Sequence, residues 1–136
     1  MMNMSEKNKP SIILVDDHDI FRKGMVSLIR FEEIGTVIGE AVDGQQFVDL
    51  LDDHAPDLVL LDINMPHMDG FEAAKLAIEK HPNLKIIAFT MFGNEEYYNK
   101  MQDLGVSGFV PKSSSLNVLT SAIRDVLDGK DYYVKN

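Results

Sequence analysis

Five residue positions carry the chemistry this sequence offers, and each follows a short apolar run. Ile12-Ile13-Leu14-Val15 ends in Asp16-Asp17, Leu58-Val59-Leu60-Leu61 in Asp62, Ile86-Ile87-Ala88-Phe89 in Thr90, and Gly108-Phe109-Val110-Pro111 in Lys112. Three carboxylates brought together repel, so they raise their pKa values or hold a cation. Oxygen donors with no histidine or cysteine among them favour a hard ion such as Mg²⁺, which keeps waters that phosphate oxygens can replace. A carboxylate beside such an ion can attack phosphorus and form an acyl phosphate. The ion, an ammonium and a hydroxyl would then share the charge on the transferring group. Asp62 is the best candidate nucleophile, because it is central and closes the most apolar run.

Each residue taken singly has a plainer explanation. An Asp-Asp pair after a strand is a common helix N-cap, helped by the helix dipole. A lone Thr at a strand end is usually structural, and a lone Lys in a loop is usually solvated. An Asp at a strand end can simply cap the next turn. Only their joint arrival at successive strand ends favours a shared site.

The elements that would bring them together alternate strictly. Ser11 onward reads as a strand buried on both faces, followed by a helix carrying Phe21, Met25, Leu28 and Ile29. Thr36 to Ala41 is less apolar and reads as an edge strand. Phe47, Val48, Leu50 and Leu51 mark a second helix, closed before Pro56. After the central strand, which Met65-Pro66 stops, Asp69-Gly70 opens a third helix with Phe71, Ala74 and Ile78 inward. Lys85 to Thr90 is the fourth strand. Asn94 to Leu104 is helical through Tyr97, Met101 and Leu104, with Gly105 as its stop. Gly108 to Pro111 is the fifth strand, and Leu116, Ile123, Val126 and Leu127 line a last helix ended by Gly129. Five βα units with short connections predict an α/β fold: a doubly wound five-stranded parallel sheet between two helical layers. Open sheets of this kind bind ligands at the carboxyl ends of their strands, where the five positions lie.

Composition narrows the classes. At 136 residues and 45% apolar, the chain is one domain of ordinary globular make-up. A net charge of -9 disfavours a nucleic-acid surface, which needs lysine and arginine against phosphates. The absence of cysteine removes disulfides, thiolate catalysis and cysteine zinc sites, and suits the cytoplasm. His18, His54, His67 and His81 form no H-x-x-x-H pair, which argues against zinc. No apolar run reaches the ~18 residues of a membrane span, and the first ten residues read as a disordered polar lead-in without a signal-peptide core.

V-D-D-H at 15–18, L-D-I-N-M-P-H-M-D-G at 61–70, F-T-M at 89–91 and G-F-V-P-K at 108–112 together resemble the strand-end motifs of response-regulator receiver domains of two-component signalling. The resemblance spans residues 11–129 and implies the flavodoxin-like strand order 2-1-3-4-5. It implies that Asp62 is the phosphoacceptor for a sensor histidine kinase or phosphotransfer domain. It further implies Mg²⁺ bound by Asp17, Asp62 and the Asn64 carbonyl, with Asp16 acting partly through water. Thr90 and Lys112 would hold the phosphoryl oxygens, and Thr90 with Phe109 would form the switch. V-D-D-H, the Phe21–Met25 stretch and Gly129–Tyr133 are similar to the subfamily with a LuxR-type helix-turn-helix output domain. Residues 130–136 are then expected to begin a linker to an output domain outside this sequence. DNA would be reached only through that domain, with a homodimer as a further possibility.

Three features depart from the family pattern. Met91 stands where a small residue is usual, and Phe92 offers no acid or amide to orient a hydrolytic water; together they predict a long-lived phosphoryl group. Pro111 precedes Lys112 and Ser113 follows it, so a cis Lys112–Ser113 bond would cost ~3 kcal/mol. Two rivals remain on sequence grounds. One is an Mg²⁺-dependent phosphatase with an aspartyl nucleophile, which would want an acid where Asn64 stands. The other is a phosphate-independent interaction module.

Overall fold

The computed structural model describes residues 9–65, 69–91 and 95–134. The lead-in up to residue 8, the Pro66 stop, His67, Phe92, the Asn94 helix start and the last two linker residues lie outside the described residues. Along the chain come β1 (Ser11–Val15), α1 (Asp19–Phe31), β2 (Thr36–Ala41), α2 (Gly44–Asp53), β3 (Leu58–Asp62) and α3 (Gly70–Lys80). They are followed by β4 (Lys85–Thr90), α4 (Glu95–Leu104), β5 (Gly108–Pro111), α5 (Leu116–Leu127) and a short β6 (Tyr132–Tyr133).

All strand pairings are parallel, in the order β2-β1-β3-β4-β5-β6. The first five strands follow the expected order, with β2 at the edge as its mixed composition suggested. The sheet is six-stranded rather than five-stranded. Beyond Gly129, at φ 91°, the chain turns back along the open edge of β5, and Tyr132 and Tyr133 pair with Gly108 and Phe109. The Tyr133 hydroxyl donates to the Val106 carbonyl, and its ring meets Tyr98 edge-on at 5.5 Å. A strand of two residues has no alternation to count, so periodicity could not reveal it.

Successive side chains of the inner strands point to opposite faces, and both faces are covered. Ile13, Val15, Val59, Leu61, Ile86, Ala88 and Phe109 pack with Phe47 and Leu51 of α2, the alanines of α3 and Met101 of α4. Ile12, Leu14, Leu58, Leu60, Ile87, Phe89 and Val110 pack with Met25 and Ile29 of α1 and with α5. Each such side chain contributes on the order of 2 kcal/mol when fully buried. One core assignment changes. Leu116 is 65% exposed, and α5 buries Leu119, Ala122, Ile123 and Val126. Leu116 is the first residue after the Ser115 cap, so the inward stripe begins one turn later.

Strand register sets the site. Val15 lies opposite Leu61, Asp62 opposite Phe89, and Thr90 opposite Pro111. Residues that follow these positions therefore leave the sheet along one edge, within a step of one another. Gly70 brings α3 against the same edge: a Cβ there would stand 2.3 Å from the Ile63 Cα and 2.8 Å from the Asp62 carbonyl. Asp69 caps this helix by accepting from the Glu72 N–H at 2.8 Å.

Candidate functional site

Asp16 leaves β1 into the turn before α1, and its side chain is not a helix cap. His18 is the N-cap residue and makes no side-chain capping bond. Asp16 Oδ1 instead accepts from the His18 N–H at 2.8 Å, closing a local turn that aims its carboxylate over the sheet edge. Arg22, one turn into α1, pins this turn. Its Nη1 donates to the Asp16 carbonyl at 2.7 Å, while Nε and Nη2 reach Glu40 and Asp19 at 2.9 and 2.7 Å. Asp17 is exposed, and its Oδ1 lies 3.5 Å from His18 Nδ1.

Asp62 ends β3 and is 1% exposed. Oδ1 accepts from the Asn64 N–H at 2.9 Å. Oδ2 is buried and has no hydrogen-bond partner, although the Lys112 ammonium stands 3.3 Å away. The ammonium is close enough to form an ion pair with this oxygen, while its shorter contact, 2.7 Å, is to Asp16 Oδ2. Burial pushes the Asp62 carboxyl up to about 6, against the Asn64 hydrogen bond, which lowers it. The Asp16 charge raises it further, and Lys112 lowers it. A buried acceptor left without a donor is costly, and its persistence marks a place for another group.

Lys112 follows β5, and its backbone N–H donates to the Thr90 carbonyl at 2.7 Å, tying two strand ends together. Its side chain is 4% exposed. Nζ lies 2.7 Å from Asp16 Oδ2, 3.0 Å from His18 Nδ1 and 4.7 Å from the centroid of the Phe21 ring. The described peptide bonds are all trans, Lys112–Ser113 included. Thr90 is 1% exposed at the end of β4, and its hydroxyl lies 3.5 Å from the Asn64 side-chain oxygen, a loose contact. The same Asn64 oxygen is 3.5 Å from the Met91 N–H, so Asn64 bridges the β3 and β4 ends. Met91 itself is 48% exposed.

The structure thus brings Asp16, Asp17, Asp62 and Lys112 together, with Asn64 and Thr90 beside them. Phe109 is elsewhere. It is 2% exposed in the layer under α2, α3 and α4, with Tyr98 edge-on at 5.4 Å. Two residues were not singled out by sequence for this site. His18 Nδ1 lies 3.2 Å from Asp16, 3.5 Å from Asp17 and 3.9 Å from Asp62. Phe21 lies under the Lys112 ammonium and meets Phe89 edge-on at 5.7 Å. Adjacency of His18 to the acidic pair was the available signal; nothing in the sequence told which way its ring would turn.

One ligand atom each from Asp16, Asp17, His18 and Asp62 lies within 4.8 Å of the others. With the unbonded Asp62 oxygen among them, this donor set fits a divalent cation. Among the described residues, no helix is long and apolar enough to cross a membrane.

Comparison with known proteins agrees with this geometry. The sequence profile of the response regulator receiver domain matches residues 12–124. The transcriptional regulatory protein DegU of Brevibacillus brevis is 31% identical over 132 residues, which is 97% of this chain and 56% of that protein. The chain therefore spans a little over half the length of that relative. A LuxR-family two-component response regulator from Aurantimonas sp. SI85-9A1 superposes with a TM-score of 0.87 at 33% identity, covering 92% of this chain and 89% of its own. The isolated receiver domain of RcsB from Salmonella enterica serovar Typhimurium, determined in the presence of the phosphomimetic BeF3-, gives 0.86 at 27% identity, covering 93% and 94%.

Proposed function

The chain belongs to the response regulator receiver domain family, and on that footing we propose that it accepts a phosphoryl group onto Asp62 from a sensor histidine kinase or phosphotransfer domain. The observation that carries this is the Asp62 Oδ2 atom, buried, without a hydrogen bond and 3.3 Å from an ammonium. Such an oxygen has been stripped of the water that would blunt a nucleophile. It attacks phosphorus, the bond from phosphorus to the donor's imidazole nitrogen breaks, and that nitrogen keeps the electron pair. Lys112 attracts an oxygen of the transferring group, and the Thr90 hydroxyl donates to another. Asp16, Asp17, Asp62 and the Asn64 carbonyl would hold Mg²⁺, which when bound supplies further neutralisation of phosphoryl charge. The position two residues after Asp62 is Asn64, so no acid stands there to protonate a leaving alcohol. A signalling role, rather than turnover of external phosphomonoesters, follows.

Phosphorylation adds charge and acceptor oxygens beside Thr90 and Lys112. A shift of Thr90 toward them would be answered by Phe109, through apolar repacking alone because the ring has no hydroxyl. Phe109 touches Tyr98 on α4, and Tyr98 touches Tyr133 on β6, so a change there reaches the α4–β5–α5 face. That face would serve a homodimer, or an output domain that binds DNA as in a cytoplasmic transcription regulator. Mass spectrometry after acetyl phosphate or histidine-kinase treatment with Mg²⁺ tests the central step. One phosphoryl increment on the wild type and none on Asp62→Asn is the expected result. A wild-type mass that never rises under any donor overturns it.

A further inference from the structure

The Lys112 side chain is 4% exposed, so its ammonium has lost most of its water. Asp16 Oδ2 at 2.7 Å, His18 Nδ1 at 3.0 Å and Asp62 Oδ2 at 3.3 Å surround it with electron-rich atoms. A further neighbour is a ring: Nζ lies over the face of Phe21, 4.7 Å from its centroid. Phe21 belongs to the first turn of α1, and its ring meets Phe89 of β4 at 5.7 Å with 65° between the planes. Phe89 is 2% exposed, so the ring leans on a fixed part of the core. Leucine would fill the same apolar space, but only an aromatic ring offers a buried cation a negative face.

That face attracts without directing. A hydrogen bond ties an ammonium proton to one acceptor, and Asp16 holds Lys112 more closely than Asp62 does, 2.7 against 3.3 Å. Phosphoryl transfer asks the ammonium to turn a proton from Asp16 toward an oxygen of the arriving group. Attraction to a ring face depends on the charge and not on any one N–H, so it persists while protons change partner. The ring also takes space that water would fill, which keeps the ammonium's field strong at the phosphoryl oxygens. We propose that Phe21 is a positioning residue for phosphoryl transfer: its ring face holds the Lys112 ammonium beside Asp62 while Lys112 exchanges Asp16 for a phosphoryl oxygen. Lys112 keeps all its protons. The bond from Asp62 Oδ2 to phosphorus forms, and the bond from phosphorus to the donor breaks with its electron pair left on the donor. The inference rests on phosphorylation of Asp62 as read above, and adds an aromatic residue that acts through Lys112.

The experiment follows phosphoryl uptake from acetyl phosphate with Mg²⁺ by intact mass. It compares the wild type, Phe21→Leu, Phe21→Tyr, and chains in which the Phe21 ring bears one, two or three fluorines. Fluorine weakens the negative face and leaves the ring's shape nearly unchanged. Urea unfolding shows that each protein is folded. The initial rate should fall stepwise with each fluorine and ~10-fold in Phe21→Leu, the scale of a desolvated cation–ring contact. Phe21→Tyr should stay within about two-fold of the wild type, since tyrosine offers a comparable face. In proton NMR, the Lys112 methylene next to the ammonium should be shifted upfield in the wild type and Phe21→Tyr, and return to its ordinary position in Phe21→Leu. A rate indifferent to fluorine, or a loss in Phe21→Tyr equal to that in Phe21→Leu, assigns the ring to packing and overturns the proposal. Phosphorylation of Asp62 would then still stand. The fluorinated rings decide the matter even where Phe21→Leu fails to fold. A wild type that gains no phosphoryl increment overturns the phosphorylation of Asp62 and this inference with it.

Discussion

Replacing Asp62 by Asn should make the ion-free protein more stable at neutral pH. Its carboxyl rises from 3.8 to about 6 on folding, with burial as the largest cause. At 1.36 kcal/mol per pKa unit, ionising it in the native state costs ~3 kcal/mol relative to the unfolded chain. The native state binds this proton more tightly than the unfolded state. The associated stability is therefore fully present below about pH 4 and is lost as pH rises through about 6. Asn keeps the shape, removes the ionisation and escapes the loss. Urea unfolding followed by circular dichroism, with chelator present, should show the two proteins alike near pH 4. The variant should then be ahead by up to ~3 kcal/mol at pH 7, a melting-temperature difference on the order of 10 °C. Adding Mg²⁺ should narrow the gap from the wild-type side, because an ion that binds only the native state stabilises it. A variant less stable at pH 7, or a difference that ignores pH, would refute the reasoning.

Lys112→Met should raise the Asp62 titration above about 6, since the ammonium lowers it now; carbon-detected NMR of the carboxyl reads the change, and an unmoved value would deny their coupling. Gly70→Ala should destabilise the fold by about 2 kcal/mol or more through the Cβ clash with the Ile63 backbone. By contrast, Gly24→Ala, in the middle of α1 with nothing within 4 Å of the new Cβ, should stabilise it by ~0.5–1 kcal/mol. Chemical denaturation of the pair checks both signs at once. Met91→Ala should shorten the life of the phosphorylated form, because Met91 follows the end of β4 with its N–H 3.5 Å from the Asn64 side-chain oxygen; decay followed by intact mass that stays unchanged would count against shielding by its side chain.

Much of the site was legible because chemistry and periodicity coincide. A buried strand must be apolar, so a carboxylate, hydroxyl or ammonium at its end stands out, and the alternation of strands and helices forces those ends to one edge. The structure brings Asp16, Asp62, Thr90 and Lys112 to that edge. Periodicity stops short of side-chain direction. The acidic pair read equally well as a helix cap, and the structure decided otherwise by making His18 the cap residue and pinning the Asp16 turn with Arg22.

Residue types spaced along the chain determined which groups meet, since a parallel sheet with short crossovers leaves only one edge for them. Tertiary structure alone decided how they face one another. The Asp62 side-chain oxygen Oδ2 is buried without a hydrogen bond, at the strand end against which α3 packs its Gly70. The His18 ring turns inward over three carboxylates, and two tyrosines after α5 add a strand beside β5. These outcomes depend on contacts between segments distant in sequence, whose energies arise only once the sheet has brought the segments together.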